Sequence, residues 1–309
     1  MSWIVSIDVL FNMNPLFLYI LVVLTWGTTW IAIQFQLKEA PLEVSVFYRF
    51  ALASLVLLTL CRVKGWTLRY PLREHFFIFL LGLCVFSVHV VLCYTASQYL
   101  VSGLVSVLFS LVSVFNLANA YLFFDRKPSV QMLGGACLGV CGIALFFLRD
   151  ISFLSFGDQV IQGVFYGVLG ALLFSLGNMV SRRNQRRGLL LIPSSALAMC
   201  YGSLAMGVYC VFKGSAFVLP TSPSYWGSLV YLVLGGTVFG FMGYLALVSR
   251  LGPERAGYAT VLFPIVAVLI SSLFEGYVFS VSHVVGILSL IVGNVLMLAQ
   301  QKQPSRTSL

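Results

Sequence analysis

Polar residues in this chain are gathered between long apolar blocks, and there are ten such blocks. Their approximate spans are Pro15 to Gln34, Val44 to Cys61, His75 to Ala96, Gly103 to Phe124 and Val130 to Leu148. After these come Gly163 to Ser181, Leu191 to Phe212, Trp226 to Val248, Ala256 to Phe274 and Val281 to Ala299. Each is roughly 18 to 23 residues, the length that carries a helix across ~30 Å of hydrocarbon at ~1.5 Å per residue. In lipid the backbone must satisfy its own polar groups, so each block reads as a helix. The pattern predicts an all-α integral membrane protein with ten transmembrane helices. The first block has no basic leader and no small-residue cleavage site, so it reads as a retained helix and not as a removable signal peptide.

Composition agrees, with 60% hydrophobic residues and 9% charged, against roughly 25% charged in a soluble domain. The connections left over are too short to hold a soluble catalytic domain. Charge placement gives an orientation. With the amino terminus inside, the inner connections hold Arg62, Lys64, Arg69, Arg73, Arg126, Lys127, Arg182, Arg183, Arg186, Arg187, Arg250 and Arg255, and the tail adds Lys302 and Arg306. The outer connections hold only Lys38, Arg149 and Lys213. That bias places both termini in the cytoplasm, because positive loops resist translocation. It also accounts for the net charge of +9 without a nucleic-acid partner. The Arg182–Arg187 cluster is a topology signal first and a contact for anionic lipid second.

Seven cysteines, at 61, 84, 93, 137, 141, 200 and 210, all lie in or beside apolar blocks. They read as small buried residues; no disulfide, metal or cofactor is expected.

The chain also resembles itself. Phe123-Phe124-Asp125 answers Leu273-Phe274-Glu275, Gly135 and Gly142 answer Gly286 and Gly293, Gly27 answers Gly177, and Tyr94 answers Tyr244. The offset is about 150 residues throughout. Five helices per half is an odd number, so the second half enters the membrane with opposite orientation. Two inverted five-helix repeats are therefore predicted, at 15–148 and 161–299, with an outer linker at 149–160 and a cytoplasmic tail at 300–309. Inverted repeats characterise secondary transporters.

At these residues the chain resembles the drug/metabolite transporter superfamily, in its ten-helix form with two EamA-type domains. The resemblance rests on Trp26-Gly27-Thr28-Thr29-Trp30 in the first helix and on Ala40-Pro41 followed by Arg49 in the second. It rests too on Ala256, Pro264 and Glu275 leading to Gly286 in the last two. The first half departs from the family pattern. Ser113 or Val114 stands near a position that is often proline, and Asp125 replaces the usual glutamate. The resemblance implies a multi-pass transporter of the cytoplasmic (inner) membrane, commonly an exporter of amino acids or other small metabolites. It fixes no substrate.

Candidate chemistry is sparse. Arg49 is the one basic residue well inside a block, where a charge costs several kcal/mol unless paired or hydrated. It reads as an anchor for a substrate carboxylate or phosphate, or as a structural arginine. Trp26 and Trp30 share a face of the first helix with Thr28 nearby, placed for substrate stacking or for helix packing. Ser102, Ser106, Ser110, Ser113 and Asn116 form a polar stripe in the fourth helix, an aqueous lining or a packing face. Asn178, His89, Tyr94, Tyr244 and Tyr258 complete the candidate cavity. Asp125 and Glu275 are candidates for capping, gating or coupling, and proton coupling through Glu275 or His89 stays open. Pro264 is a candidate hinge.

The expected partners are a small-molecule substrate and the bilayer, in a monomer or weak homodimer. A lipid or lipid-linked-sugar flippase is the close rival. An intramembrane enzyme is the distant one, since no metalloprotease, nucleophile-elbow or phosphate-loop motif occurs.

Overall fold

The computed structural model describes residues 14–125, 127–153, 157–278 and 280–299; within these, the side chains of 147–157, 245, 248–258, 260–261 and 298–299 lie outside the description. Helices fill the described chain, and no strand occurs among the described residues. Seven helices are long and apolar enough to cross a membrane, and three shorter apolar helices complete the set. In chain order they are span 1 (Pro15–Leu37), span 2 (Leu42–Val63), span 3 (Leu72–Tyr99), span 4 (Ser102–Phe124) and span 5 (Val130–Phe146). Span 6 (Asp158–Arg186), span 7 (Leu191–Lys213), span 8 (Pro223–Tyr244), span 9 (Leu262–Phe274) and span 10 (Val281–Met297) follow.

The ends obey local chemistry. Span 1 opens with Asn14, whose side chain accepts from the Leu16 N–H at 2.9 Å, and with Pro15 where no amide hydrogen is needed. Span 4 closes on Asp125 at φ 51°, a left-handed residue that ends the helix.

Spans 8 and 9 are joined by helical residues running through Gly240–Phe274. Yet the Trp26 ring lies 5.3 Å from the Tyr244 ring and 6.3 Å from that of Phe263. In a straight helix those two rings would stand about 28 Å apart. Leu247 and Ala259 both join Leu18 and Val22 in one buried cluster. The element therefore doubles back between Leu247 and Ala259, and ten crossings are preserved.

Three spans leave regular α geometry near mid-length. Span 3 breaks at Ser87, with φ −144° and ψ −88°. Span 4 is divided into Ser102–Phe109 and Val112–Phe124. Span 8 winds as a π-helix over Leu232–Phe239. Such interruptions free backbone carbonyls, and in a membrane they persist only where other groups satisfy them.

Span 5 packs against span 10, span 2 against span 7, span 4 against span 9, span 1 against spans 8 and 9, and span 6 against spans 3 and 4. Glycine permits the closest crossing. A Cβ at Gly142 would stand 2.6 Å from the Gly286 carbonyl oxygen, and one at Gly293 would stand 2.5 Å from that of Gly135. Small residues that let backbones meet are the means by which helices associate in lipid.

One expectation is corrected. Cys61, Cys84, Cys93 and Cys210 are buried, but Cys137 and Cys141 are exposed on span 5. Span 10 takes the glycine face of that helix, which leaves the cysteine face outward, where a small weakly polar thiol is tolerated. All seven cysteines are free.

Candidate functional site

Arg49 projects from span 2 and is only 8% exposed. Its Nε donates to Thr237 Oγ1 at 3.3 Å, and its guanidinium carbon lies 5.2 Å from the Phe50 ring centre. Thr237 belongs to the π segment, and its own hydroxyl donates to the Leu232 carbonyl at 2.8 Å. That bond returns the Thr237 hydroxyl to the residue five places back and fixes its oxygen as the acceptor for Arg49. A Cβ on the preceding Gly236 would sit 2.8 Å from Thr29 Oγ1 and 3.6 Å from Arg49 Nη2. Glycine is what lets span 8 approach both. Trp26 Nε1 donates to the Gly236 carbonyl at 3.1 Å, using another backbone acceptor of the same segment.

Around this centre stand His89, Cys93 and Tyr94 of span 3, all within electrostatic reach of Arg49. Tyr94 is fully buried, and its hydroxyl donates to Gln36 Oε1 at 2.7 Å. Gln36 is itself fully buried, and its Nε2 has no hydrogen-bond partner among the described residues; nor has His89 Nδ1. A buried donor left unmade costs about 1–3 kcal/mol.

A wall of rings adjoins the polar centre. Trp30 meets Phe109 at 5.4 Å, Phe109 meets Phe174 at 5.0 Å, and Phe174 meets His89 at 5.0 Å. Phe263 joins this wall to Trp26, at 6.4 Å from Phe109 and 6.3 Å from Trp26. The break in span 3 at Ser87 stands beside His89, and the division in span 4 stands beside Phe109, so irregular backbone is concentrated at this site.

The predicted residues thus fall into groups. Trp26, Trp30, Arg49, His89, Tyr94 and Tyr244 share one neighbourhood. Thr28 turns elsewhere: its hydroxyl bonds the Leu24 carbonyl at 2.6 Å and meets the Tyr231 hydroxyl. Asn116 and Asn178 meet in a second network. Asn116 Oδ1 accepts from Asn178 Nδ2 at 3.3 Å and from Ser175 Oγ at 2.8 Å, and Ser175 Oγ accepts from Asn119 Nδ2 at 2.9 Å. This network ties span 4 to span 6: Ser175 directly follows Phe174 and Asn178 lies about one turn beyond it, while Asn116 and Asn119 lie about two to three turns beyond Phe109. The Tyr258 side chain lies outside the described residues.

The serine stripe of span 4 is a packing face. Ser102, Ser106 and Ser110 are buried, Ser106 and Ser113 donate to carbonyls one turn back, and Ser113 also bonds Asn294 Oδ1. Pro264 is buried in helix that continues through it.

The described carboxylates lie away from Arg49. Glu275 accepts from both the N–H and the hydroxyl of Ser102, capping span 4 from span 9. Glu43 pairs with Lys213 at 2.9 Å and accepts from Ser215. Glu74 pairs with Arg183, which also lies 3.6 Å from the Phe77 ring centre. Arg182 and Arg186 both stand over the Phe124 ring. Asp125, Glu39 and Asp158 are exposed. No cluster of metal-ligating side chains occurs among the described residues.

Sequence reasoning missed Gln36, Thr237, Phe109, Phe174 and Phe263. The Gly235-Gly236-Thr237 run was the available signal for the π segment, and Gln36 was a polar residue at the end of an apolar block.

Comparison with known proteins fits this arrangement. The model of the EamA-like transporter family matches twice, over residues 13–148 and 161–299. Protein PagO of Salmonella typhimurium is 24% identical over 93% of each chain. The Escherichia coli K12 protein called "Uncharacterized inner membrane transporter YedA" is 26% identical over 80% of this chain and 78% of its own. "Uncharacterized transporter YetK" of Bacillus subtilis is 25% identical over 90% and 84%. A crystal structure at 15% identity aligns with a TM-score of 0.65 over 91% of this chain and 95% of its own, a likeness of fold. With both halves matched by the family model, this multi-pass membrane protein belongs to the EamA-like transporter family.

Proposed function

We propose that this transporter is a secondary active carrier that exports a small organic metabolite, an amino acid or related compound, across the cytoplasmic membrane by alternating access, with Arg49 as the substrate anchor. The observation that carries the reading is the placement of Arg49. It is a buried cation within a membrane span, touched by spans 2, 3 and 8, with no carboxylate of the described residues in ion-pair contact. Intramembrane charges of this kind mark substrate paths.

The helix pairing supports two inverted halves, 15–148 and 161–299. Exchanging each span with the one five places away maps spans 5 and 10, 2 and 7, and 4 and 9 onto themselves. The same exchange turns the pairing of spans 1 and 8 into that of 6 and 3. The charge bias supports cytoplasmic termini, with the arginine-rich end carrying Glu74 and Arg183 facing inward. Pro264, in the part of span 9 that faces Trp26, is the hinge on this reading.

The test is metabolite profiling of cells and medium with the gene overexpressed, deleted or carrying Arg49→Ala. The expected result is a compound whose partition shifts in opposite directions on overexpression and deletion and reverts in the variant. No shift from well-inserted protein sends the search to lipid substrates and removes the metabolite reading.

A further inference from the structure

We infer that the Arg49 site selects monoanionic aryl carboxylates and discriminates against zwitterions that carry the same ring. The inference rests on reading Arg49 as the substrate anchor and narrows the substrate class.

The first support is unspent donor capacity. A guanidinium has five N–H donors in a fork that fits a carboxylate. At Arg49 Nε reaches Thr237 and a second donor is held by the Tyr94 hydroxyl, so the fork is only partly used among the described residues. Gln36, fully buried, offers a further donor: its Oε1 is held by Tyr94 while Nε2 has no partner among the described residues. Tyr94 connects the two groups, since its hydroxyl bonds Gln36 and lies within reach of Arg49. A carboxylate accepts at about four lone-pair sites. It is the ligand group that would complete both.

The second support is what the site lacks. An α-ammonium group carries three donors and a positive charge, and in a buried site it needs an acceptor, best a carboxylate. Of the nine acidic residues in the chain, six have described side chains, and each of these is accounted for elsewhere. Glu43 is held by Lys213 and Ser215, Glu74 by Arg183, and Glu275 by Ser102, while Glu39, Asp125 and Asp158 are exposed. Beside a buried guanidinium, a second cation is repelled and finds no carboxylate partner among the described residues. A simple acid neutralises the site instead.

The third support is the wall. Trp30, Phe109, Phe174 and His89 follow one another at ring separations of 5.0–5.4 Å, the range of tilted and edge-to-face aromatic contacts. A flat ring one or two bonds from a carboxylate can lie on this wall while its acid reaches Arg49.

The experiment uses the full chain in lipid nanodiscs and saturation binding of radiolabelled phenylacetate, with unlabelled phenylalanine, phenethylamine and acetate as competitors. Saturable phenylacetate binding is expected, and each competitor should need at least about tenfold higher concentration to displace it, one lost charge-assisted bond being worth about that factor. Arg49→Lys keeps the charge but not the fork, and should weaken phenylacetate by about tenfold. Gln36→Leu should weaken it by several-fold with the fold intact. Phenylalanine displacing as well as phenylacetate, in a manner still sensitive to Arg49→Lys, overturns the charge selection and leaves Arg49 as anchor. Binding that ignores both Arg49→Lys and Gln36→Leu overturns the site itself. Absence of saturable phenylacetate binding to the wild-type protein overturns the aryl-carboxylate class.

Discussion

Two glycines on span 5 should respond to the same substitution with opposite signs. At Gly142 a new Cβ would meet the Gly286 carbonyl oxygen at 2.6 Å, the Leu290 amide nitrogen at 2.8 Å and the Ser289 Cβ at 3.0 Å. Two of these are backbone atoms of span 10, so no rotamer change can relieve the overlap. The helices must separate along a seam where Gly135 and Gly293 also meet. Overpacking of this kind costs about 1–3 kcal/mol. At Gly134 a new Cβ meets nothing within 4 Å. There the only change is the backbone freedom removed from a helix, which favours Ala by roughly 0.5–1 kcal/mol. Gly142→Ala and Gly134→Ala should therefore differ by about 1.5–4 kcal/mol, tenfold or more in a folding equilibrium. Thermal unfolding of the two purified variants and the wild type in one detergent would read the order Gly134→Ala, wild type, Gly142→Ala. Equal melting of the two variants, or the reverse order, would refute the span 5–span 10 contact.

Three further outcomes follow from the site and the ends. Arg49→Ala and Trp30→Ala should each reduce transport while leaving membrane insertion intact, and undiminished transport in both would remove the proposed site. Glu275→Ala should cost about 0.5–2 kcal/mol through the lost cap on Ser102 and should leave the pH profile of transport unchanged; a shifted profile would instead make Glu275 a proton-coupling group. A cysteine replacing Gln185, exposed beside the arginine cluster, should react with an impermeant maleimide in inverted membranes. Labelling from outside intact cells would contradict cytoplasmic placement of that loop.

The ten crossings were legible because the hydrocarbon thickness sets a length that no soluble helix needs, and hydropathy alone measures it. Much of the polar centre was legible for a related reason. In lipid, Arg49, His89 and Tyr94 are expensive, so rarity itself points to them. Residues whose cost is hidden cannot be picked out in this way. Phe109, Phe174 and Phe263 are as apolar as the lipid-facing residues around them, and only the folded arrangement separates wall from surface. Thr237 looks like a tolerated hydroxyl until the π winding turns it toward Arg49. Gln36 sits at the end of an apolar block and reads as the start of a loop, though it is fully buried. The serine stripe is a different case. Its spacing fits a lining and a packing face alike, and hydroxyls that return to their own helix carbonyls, cheap to bury and facing neighbouring helices, make it a packing face.

Glu43, Glu74 and Glu275 have one more property in common, and it bears on alternating access. Glu74 on span 3 reaches Arg183 on span 6, Glu43 on span 2 reaches Lys213 on span 7, and Glu275 on span 9 reaches Ser102 on span 4. Each tie joins a span of the first half to a span of the second. Glu74–Arg183 stands at the arginine-rich end, and the other two stand at the opposite end. On the proposed mechanism, opening either end must break the ties of that end and keep those of the other. Ion pairs with a partly exposed member contribute only about 0–1 kcal/mol each and a cap such as that of Glu275 about 0.5–2 kcal/mol, so these ties can register the halves without locking them. A carboxylate that bridges Arg49 on span 2 and Gln36 on span 1 adds differential binding to whichever arrangement brings the two donors together. Such a difference is the only lever by which a ligand shifts a conformational equilibrium. Charge at the ends would then set the two states, and the buried Arg49 at the centre would let substrate choose between them.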